Sequence, residues 1–213
     1  MSNLIFTVQP PSSNNIRRAI LREVARIVNG KIPKIEQELR RFVKEEMAAA
    51  LKDSSEYAAM VNGPLDEHFG FEAGSAATRL ESIIDTVVRA VKIDVEKVSI
   101  LGSGLRGGVS VSLSTDIFPA LFSMSEANVE NLPWLEWLLT RGNDVIISGY
   151  SILFKNTPYS RSGYAIMVKS QKGIWRVPAQ YAGTTNDNWI TRTMDMFESQ
   201  LKIATSNIIR REF

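Results

Sequence analysis

Cysteine is absent from the 213-residue sequence, and histidine occurs only once, at position 68. The lack of thiols excludes disulfides and thiolate metal sites, and it fits a reducing compartment. No apolar run reaches the roughly 18 residues that a membrane helix needs, and the N-terminus lacks the charged and apolar regions of a signal peptide. These absences predict a protein that is made and assembled in a cytoplasm.

An excess of one charge is also missing. The net charge is +2, which is too small to make nucleic acid the default partner. Near the N-terminus, however, basic residues cluster at Arg17, Arg18, Arg22 and Arg26. One interpretation is contact with DNA, because such side chains bind phosphates without discriminating between base sequences. The interleaved Glu23, Glu36 and Glu38 favour the other interpretation, a solvated face of mixed charge.

The first 15 residues predict an extended arm. They contain a short apolar patch, Leu4-Ile5-Phe6, followed by Pro10-Pro11, and two consecutive prolines cannot continue a helix. Two interpretations are open. The arm is either a frayed terminus or a strand at residues 4–8 that adds to the sheet edge of a neighbouring subunit.

Residues 16–92 predict a helical region, because apolar residues recur there at helical spacing. A first helix over 16–28 is expected to stop at Asn29-Gly30. A second helix is expected to begin at Pro33, since proline suits the first helical turn, and to continue to residue 51.

Two shorter helices are expected to follow. Asp53 and Glu56 have the spacing of a capping box for a third helix that ends at 62–64. After a linker at 64–74, Ser75 is expected to cap a fourth helix with the most regular apolar stripe in the chain.

Residues 93–213 predict an α+β domain. Alternating apolar residues indicate strands at 93–95, 109–113 and 145–154, and a hairpin at 163–177 that turns at 171–173. Helices are expected at 133–141 and from 187–188 onwards, whereas Pro119 leaves 116–124 ambiguous. The predicted fold class is α+β: N-terminal amphipathic helices, a small antiparallel sheet of about four to five strands, and a C-terminal helix packed on it.

Motifs that could carry catalysis are weak. Residues 102–107 match GxGxxG, but a strand pattern follows where a dinucleotide site needs a helix, so a tight hairpin turn is the better interpretation. Ser160 and Ser162 lack a GxSxG context. His68 lies near Asp66, Glu67 and Glu72 without any established metal-ligand spacing. The chain is therefore predicted not to be an enzyme, with no cofactor and no metal.

Aromatic residues in the C-terminal half are the strongest signal. All four tryptophans lie between residues 132 and 192, and tryptophan, tyrosine and arginine dominate interface hot spots. Core packing explains part of this set, and docking on another chain explains the rest. The predicted subunit-interface residues are Trp134, Trp137, Leu138, Arg161, Trp175, Arg176, Tyr181, Trp189 and Arg192.

The order of these segments resembles the tail-completion, or head–tail joining, proteins of tailed bacteriophages. The similar segments are the amphipathic helical stretch at 16–51, LPWLEWLLTRG at 132–142, SRSGYAIM at 160–167 and the stretch 175–208. The second half is also similar to virion structural proteins of phages with contractile tails, in which SRSG, WRVP and AGT occur together. The chain departs from the pattern by an insertion at 53–92.

The resemblance implies a structural protein of the virion neck, assembled in the host cytoplasm. Its expected partners are copies of itself in a ring, with a hexamer favoured, the head connector or adaptor, and tail terminator or tail tube proteins. One interface is expected at 132–142 and 156–163, and the other at 178–192. DNA would pass through the lumen, where basic residues would make weak contacts. The alternatives are a tail terminator, a baseplate component or a hydrolase.

Overall fold

The computed structural model describes residues 12–126 and 132–212. The helices are α1 (Ser13–Lys52), α2 (Ser55–Asn62), α3 (Pro64–Phe69), α4 (Ala76–Ala90), α5 (Phe118–Glu126), α6 (Trp134–Thr140) and α7 (Trp189–Glu212). The strands are β1 (Lys92–Val95), β2 (Ser99–Leu101), β3 (Gly104–Arg106), β4 (Val109–Ser112), β5 (Ile147–Phe154) and β6 (Ala165–Trp175). The expected mixture of helices and antiparallel strands with a C-terminal helix is confirmed.

The first helix is continuous where two helices were predicted. α1 has 40 residues, which corresponds to a length of about 60 Å. The predicted stop at Asn29-Gly30 is wrong because the Asn29 side chain bonds to Val98, in the loop between β1 and β2, instead of ending the helix. Its amide nitrogen donates to the Val98 carbonyl oxygen at 2.9 Å, and its amide oxygen accepts from the Val98 N–H at 2.7 Å. Pro33 lies inside the helix and removes one bond from its ladder.

The predicted N-terminal arm lies mostly outside the described residues. Its last three residues, Ser13 to Asn15, already belong to α1. The Ser12 hydroxyl caps the helix by accepting a hydrogen bond from the Asn15 N–H at 3.3 Å.

The C-terminal helix packs along α1 and not mainly on a sheet. The rings of Phe42 and Phe197 stack with their centroids 5.7 Å apart. Lys34 Nζ lies 2.8 Å from a Glu212 carboxylate oxygen, so α7 runs antiparallel to α1. α4 also packs on α1, and the apolar faces of these helices share one buried core.

The predicted linker at 64–74 contains α3, which begins at Pro64 and ends at Gly70 with a positive φ of 63°. Ser75 stands at the N-cap position of α4, as predicted, but makes no capping bond. Its hydroxyl instead accepts a hydrogen bond from Arg79 Nε at 3.2 Å. The ambiguous stretch at 116–124 becomes a 3₁₀ turn and most of α5.

The strands form three separate two-stranded antiparallel sheets: β1–β4, β2–β3 and β5–β6. The prediction of one sheet with four to five strands is therefore wrong. The strands predicted at 93–95 and 109–113 are confirmed as β1 and β4, and they pair with Ile93 opposite Val111. The interpretation of the GxGxxG stretch as a hairpin turn is also confirmed, because β2 and β3 pair around Gly102, whose φ is +60°.

β6 is one strand of 11 residues, although a turn was predicted at 171–173. Gly173 is needed there because the β5 backbone passes too close for a side chain. A Cβ at this position would collide with the Tyr150 carbonyl oxygen. On the opposite strand Gly149 has a φ of +80°, and the register shifts between Ser148 and Tyr150. The pairing therefore skips residues 170–173 of β6 opposite Gly149, so β6 is irregular where the turn was predicted.

Candidate interaction surface

A hydroxyl at the start of α2 joins the C-terminal stretch to the helical region. Ser54 Oγ accepts hydrogen bonds from the Tyr57 N–H at 3.2 Å and from the Trp189 indole N–H at 2.7 Å. It donates to the Leu51 carbonyl oxygen at 2.7 Å, so its whole bonding capacity is used. The predicted capping box of Asp53 and Glu56 is wrong by one residue, because Ser54 is the cap.

Glu56 makes the second connection between these parts of the chain. Its side chain is buried, and one carboxylate oxygen accepts from Arg192 Nε at 3.2 Å and from Arg192 Nη2 at 2.7 Å. The third nitrogen of that guanidinium, Nη1, donates to Asp187 at 2.9 Å. Charge-assisted bonds of this kind are about twice as strong as neutral ones. The donors of Arg192 are therefore largely engaged within its own chain.

An aromatic cluster joins α3 to α6 and β6. Phe71 meets Trp134 edge-to-face at 4.9 Å, and Trp137 meets Trp175 edge-to-face at 5.3 Å. The Trp175 indole N–H donates to His68 Nδ1 at 3.0 Å, which requires neutral imidazole with its proton on Nε2. Burial lowers the pKa of His68 and so favours this neutral form.

Four of the nine predicted interface residues are buried in the core of their own chain. Trp134, Leu138, Trp175 and Trp189 are each at most 4% exposed. Their packing is satisfied within the chain, so in this conformation they offer no surface to another copy. A subunit contact through these four residues remains a prediction, and it would need a change in this packing.

The other five predicted interface residues reach the surface. Trp137, Tyr181 and Arg192 are half-buried, whereas Arg161 and Arg176 are exposed. Arg161 lies in the loop between β5 and β6, close to Gly70 at the end of α3. For these five residues a subunit contact remains a prediction.

The serines of the β5–β6 loop have a structural role. Ser162 is 2% exposed, and its hydroxyl lies 3.1 Å from that of Ser160. Ser160 Oγ also donates to the Ala165 carbonyl oxygen at 2.6 Å and accepts from the Ala165 N–H at 3.2 Å. These bonds close the loop at the base of β6.

The acidic group around His68 does not form a metal site. Within the described ranges, no three His, Asp or Glu side chains come together in a way that could hold a metal ion.

Desolvation, with a further contribution from the Glu67 carboxylate, raises the pKa of Asp66 to about 6.

The end of the β5–β6 hairpin exposes an apolar surface. This hairpin surface consists of Leu153, Phe154, Tyr159, Tyr164 and Met167, all exposed, with Tyr159 the most exposed at 91%. Cross-strand pairing places Phe154 and Met167 on one face of the ribbon and Leu153 on the other. The sequence predictions missed these residues, although Tyr159 belongs to the predicted 156–163 loop.

A second exposed apolar surface lies on the N-terminal half of α1. This α1 stripe consists of Ile16, Ile20, Val24 and Ile27, which are between 40% and 58% exposed. Their spacing of four, four and three residues places them on one helix face. The signal was present in the sequence, where these residues were expected to be the buried face of a short helix.

The α1 stripe continues the face of α1 that carries α7. The α1 residues that contact the C-terminal half of α7 are Lys31, Lys34, Glu38 and Phe42, and they extend the same three- and four-residue spacing from Ile27. α7 ends at Glu212, beside Lys31 and Lys34. The α1 stripe is thus the part of the helix–helix contact face that α7 does not cover.

The four N-terminal arginines have different environments. Arg17 donates to the Ser103 carbonyl oxygen at 3.0 Å, and Arg26 pairs with Glu23 at 2.6 Å. Arg18, Arg22 and Arg26 are spaced by four residues and share one exposed helix face, whereas Arg17 points to the β2–β3 hairpin. DNA contact remains a prediction for these residues, and Arg17 fits it least.

No helix among the described residues is long and apolar enough to cross a membrane. Comparison of the chain with protein-family models, with curated proteins and with solved structures finds no match in any of the three.

Proposed function

We propose that the chain is a structural subunit of a tailed-bacteriophage neck. In this proposal copies of the chain form a ring, hexameric by resemblance, that joins the head connector to the tail and performs no catalysis. The resemblance of 132–142, 160–167 and 175–208 to tail-completion proteins is one support. The physical support is the pair of exposed apolar surfaces.

A ring needs two different contact surfaces on each subunit, because a head-to-tail contact joins unlike patches. The hairpin surface and the α1 stripe meet this requirement. β6 is bonded to α3 through Trp175 and His68, and α3 follows the C-terminal end of α1. The α1 stripe lies at the opposite end of α1. By helical rise, roughly 40 Å separates residue 27, at the end of the stripe, from residue 52, at the C-terminal end of the helix.

Each of the two surfaces also exposes several large apolar side chains to water. Contiguous exposed apolar patches on soluble proteins mark interaction sites. The burial of tryptophans within the chain does not remove this argument, since neither surface includes a tryptophan. This pair of separated apolar surfaces is the observation on which the proposal depends.

The first test measures the mass of the purified full-length chain by light scattering, with electron microscopy to detect rings. We expect Tyr159→Ser and Ile20→Ser each to reduce the mass, because each removes one side of the contact. Met196→Ser is the matched control, since Met196 is exposed at 77% but belongs to neither surface. A monomeric wild-type chain, or equal losses for all three variants, would contradict the proposal.

Mixing the two variants gives a sharper result. In a head-to-tail contact, the intact hairpin surface of Ile20→Ser can bind the intact α1 stripe of Tyr159→Ser, so the mixture should form dimers but not rings. A symmetric contact of each surface with itself predicts a different outcome, in which mixing adds nothing. Antibody labelling of phage particles then distinguishes the neck from the tail end or the baseplate.

DNA contact in the lumen has its own test. Removing one lysine or arginine that neutralises a phosphate reduces the salt dependence of duplex binding by about 0.9 in the log–log slope. We expect Arg22→Gln to reduce the slope by about this amount. The control is Arg89→Gln, an exposed arginine on α4 that pairs with Asp85. An unchanged slope for Arg22→Gln would remove this residue from the DNA-facing set.

A further inference from the structure

A groove between β4 and α7 is open along its length. Its volume is about 760 Å³, its floor includes Ile32 and Ile35 of α1, and its walls include Val109 and Val111 on one side and Leu201 and Ile209 on the other. All six are apolar, and all except Ile35 remain at least partly exposed. Space of this size with an apolar lining is typical of a binding groove.

The groove is bounded by a strand edge. Val109, Ser110 and Val111 are consecutive residues of β4, and all three line it. Val95 of β1, which lies opposite Val109, lines it as well, so the groove runs along the β1–β4 sheet beside β4. Among the described residues β4 pairs with β1 alone. This edge therefore has backbone groups that an added strand could bind.

We propose that residues 4–8 of a second copy of the chain add a strand to this edge. The segment Leu4-Ile5-Phe6-Thr7-Val8 is rich in residues that favour strands. In an extended conformation Leu4, Phe6 and Val8 lie on one face, where they match the apolar floor of the groove. Pro10-Pro11 ends the strand, because proline cannot donate to a ladder.

The donor is another copy because the arm of the same chain is too short. β1, the strand that pairs with β4, lies beside α1 between the level of Asn29, which bonds to Val98 in the loop after β1, and that of Arg40, which bonds to the Ile93 carbonyl oxygen. Even the nearer level, that of Asn29, is roughly 26 Å from Ser12 along the helix. Fully extended chain from Ser12 back to Phe6 spans at most about 21 Å. The middle of the segment therefore cannot reach β4 of its own chain.

This inference deepens the proposed ring and rests on it only for the arrangement of the copies. An exchanged arm is a third contact, besides the hairpin surface and the α1 stripe. It would order adjacent subunits in one direction, since each copy gives one arm and receives one.

Disulfide trapping tests the inference, and the absence of native cysteine makes it specific. A Thr7→Cys chain is mixed with a Ser110→Cys chain under mild oxidation, since both side chains lie on the sheet face that points away from the groove floor. Ser110 is exposed and lines the groove. The matched control mixes Thr7→Cys with Ser82→Cys, an exposed serine on α4 away from the groove. We expect several-fold more cross-linked dimer with Ser110→Cys than with Ser82→Cys.

Two outcomes would overturn the inference. One is no excess of dimer over the Ser82→Cys control, and the other is a cross-link within single chains of the Thr7→Cys/Ser110→Cys double variant. Circular dichroism of each variant shows that it is folded. Rings without the cross-link would leave the proposed function standing and reject the arm exchange. Cross-linked dimers without rings would support the arm exchange and contradict the proposed ring.

Discussion

Replacing Ser54 by alanine should destabilise the chain more than the loss of an ordinary helix cap. Loss of the capping bond of α2 costs about 1 kcal/mol. The variant also leaves the Trp189 indole N–H without its acceptor, and Trp189 is 1% exposed. An unpaired buried donor costs about 1–3 kcal/mol. We therefore expect a total loss of about 2–4 kcal/mol in the free energy of unfolding.

The measurement is urea or thermal unfolding followed by circular dichroism. For a chain of this length the expected loss lowers the Tm by roughly 5–10 °C. Ser12→Ala is the matched control, because Ser12 caps α1 in the same way but has no tryptophan on its hydroxyl. Its cost should be about 0.5–1 kcal/mol.

A double-mutant cycle separates the two contributions to the Ser54 effect. In a Trp189→Phe background the indole donor is gone, so Ser54→Ala should cost only the cap, about 1 kcal/mol. Because the bond lies within one chain, the difference between backgrounds should not depend on protein concentration. Equal costs in the two backgrounds, or a concentration-dependent difference, would refute the within-chain role of Trp189.

Three further predictions concern α1 and α3. Gly30→Ala should stabilise the chain by about 0.5–1 kcal/mol in urea unfolding, because Gly30 is inside a helix and an added Cβ meets nothing within 4 Å; no gain would show that α1 needs glycine there. The folded-state pKa of Asp66 is raised, so its contribution to stability is present below its ordinary pKa and is lost as pH rises through about 6. Asp66→Asn should therefore gain about 1 kcal/mol at neutral pH, after allowance for solvent screening, and nothing in acid. The pKa of His68 is lowered, so its contribution is present above its ordinary pKa and is lost as pH falls through the folded-state value. His68→Asn, which keeps an acceptor for Trp175, should weaken this acid-side loss in unfolding curves measured between neutral pH and about pH 5.

Helix existence was predictable where the apolar period was regular and no tertiary contact competed with it. α4 follows its stripe, with Leu80, Ile84 and Val87 buried as helical spacing requires. The end of a helix was less predictable, because Asn29 is as suitable for a cap as for a bond to a distant loop. Only the fold brings Val98 to its side chain.

Glycine caused the main error among the strands. Gly173 follows two polar residues, which is the pattern of a turn. In the structure it lies inside β6, because the backbone at Tyr150 leaves no room for a Cβ. The sequence pattern for a turn is the same as the pattern for close backbone approach, and only the position of β5 distinguishes them.

Burial of the predicted interface tryptophans was not predictable, for a similar reason. Tryptophan is as suitable for a core as for an interface, and Trp189 and Trp134 are core residues here. The composition of the 132–192 stretch could not separate the two, because burial depends on what packs on a residue. Ser54 and Phe71, which cover these two indoles, lie more than 60 residues earlier in the chain.

The exposure of the α1 stripe follows from the different lengths of α1 and α7. α1 has 40 residues and α7 has 24, so α7 is shorter by roughly 24 Å at the helical rise. Ile16, Ile20, Val24 and Ile27 have the same period as the residues that α7 covers, and nothing in their sequence marks them as exposed. Their exposure follows from the antiparallel pairing and from the position of Glu212 beside Lys34. Where a longer helix continues its apolar face beyond a shorter partner, the uncovered part remains in water unless something else packs on it. Packing of another chain on that part lowers the free energy, because it removes apolar area from water.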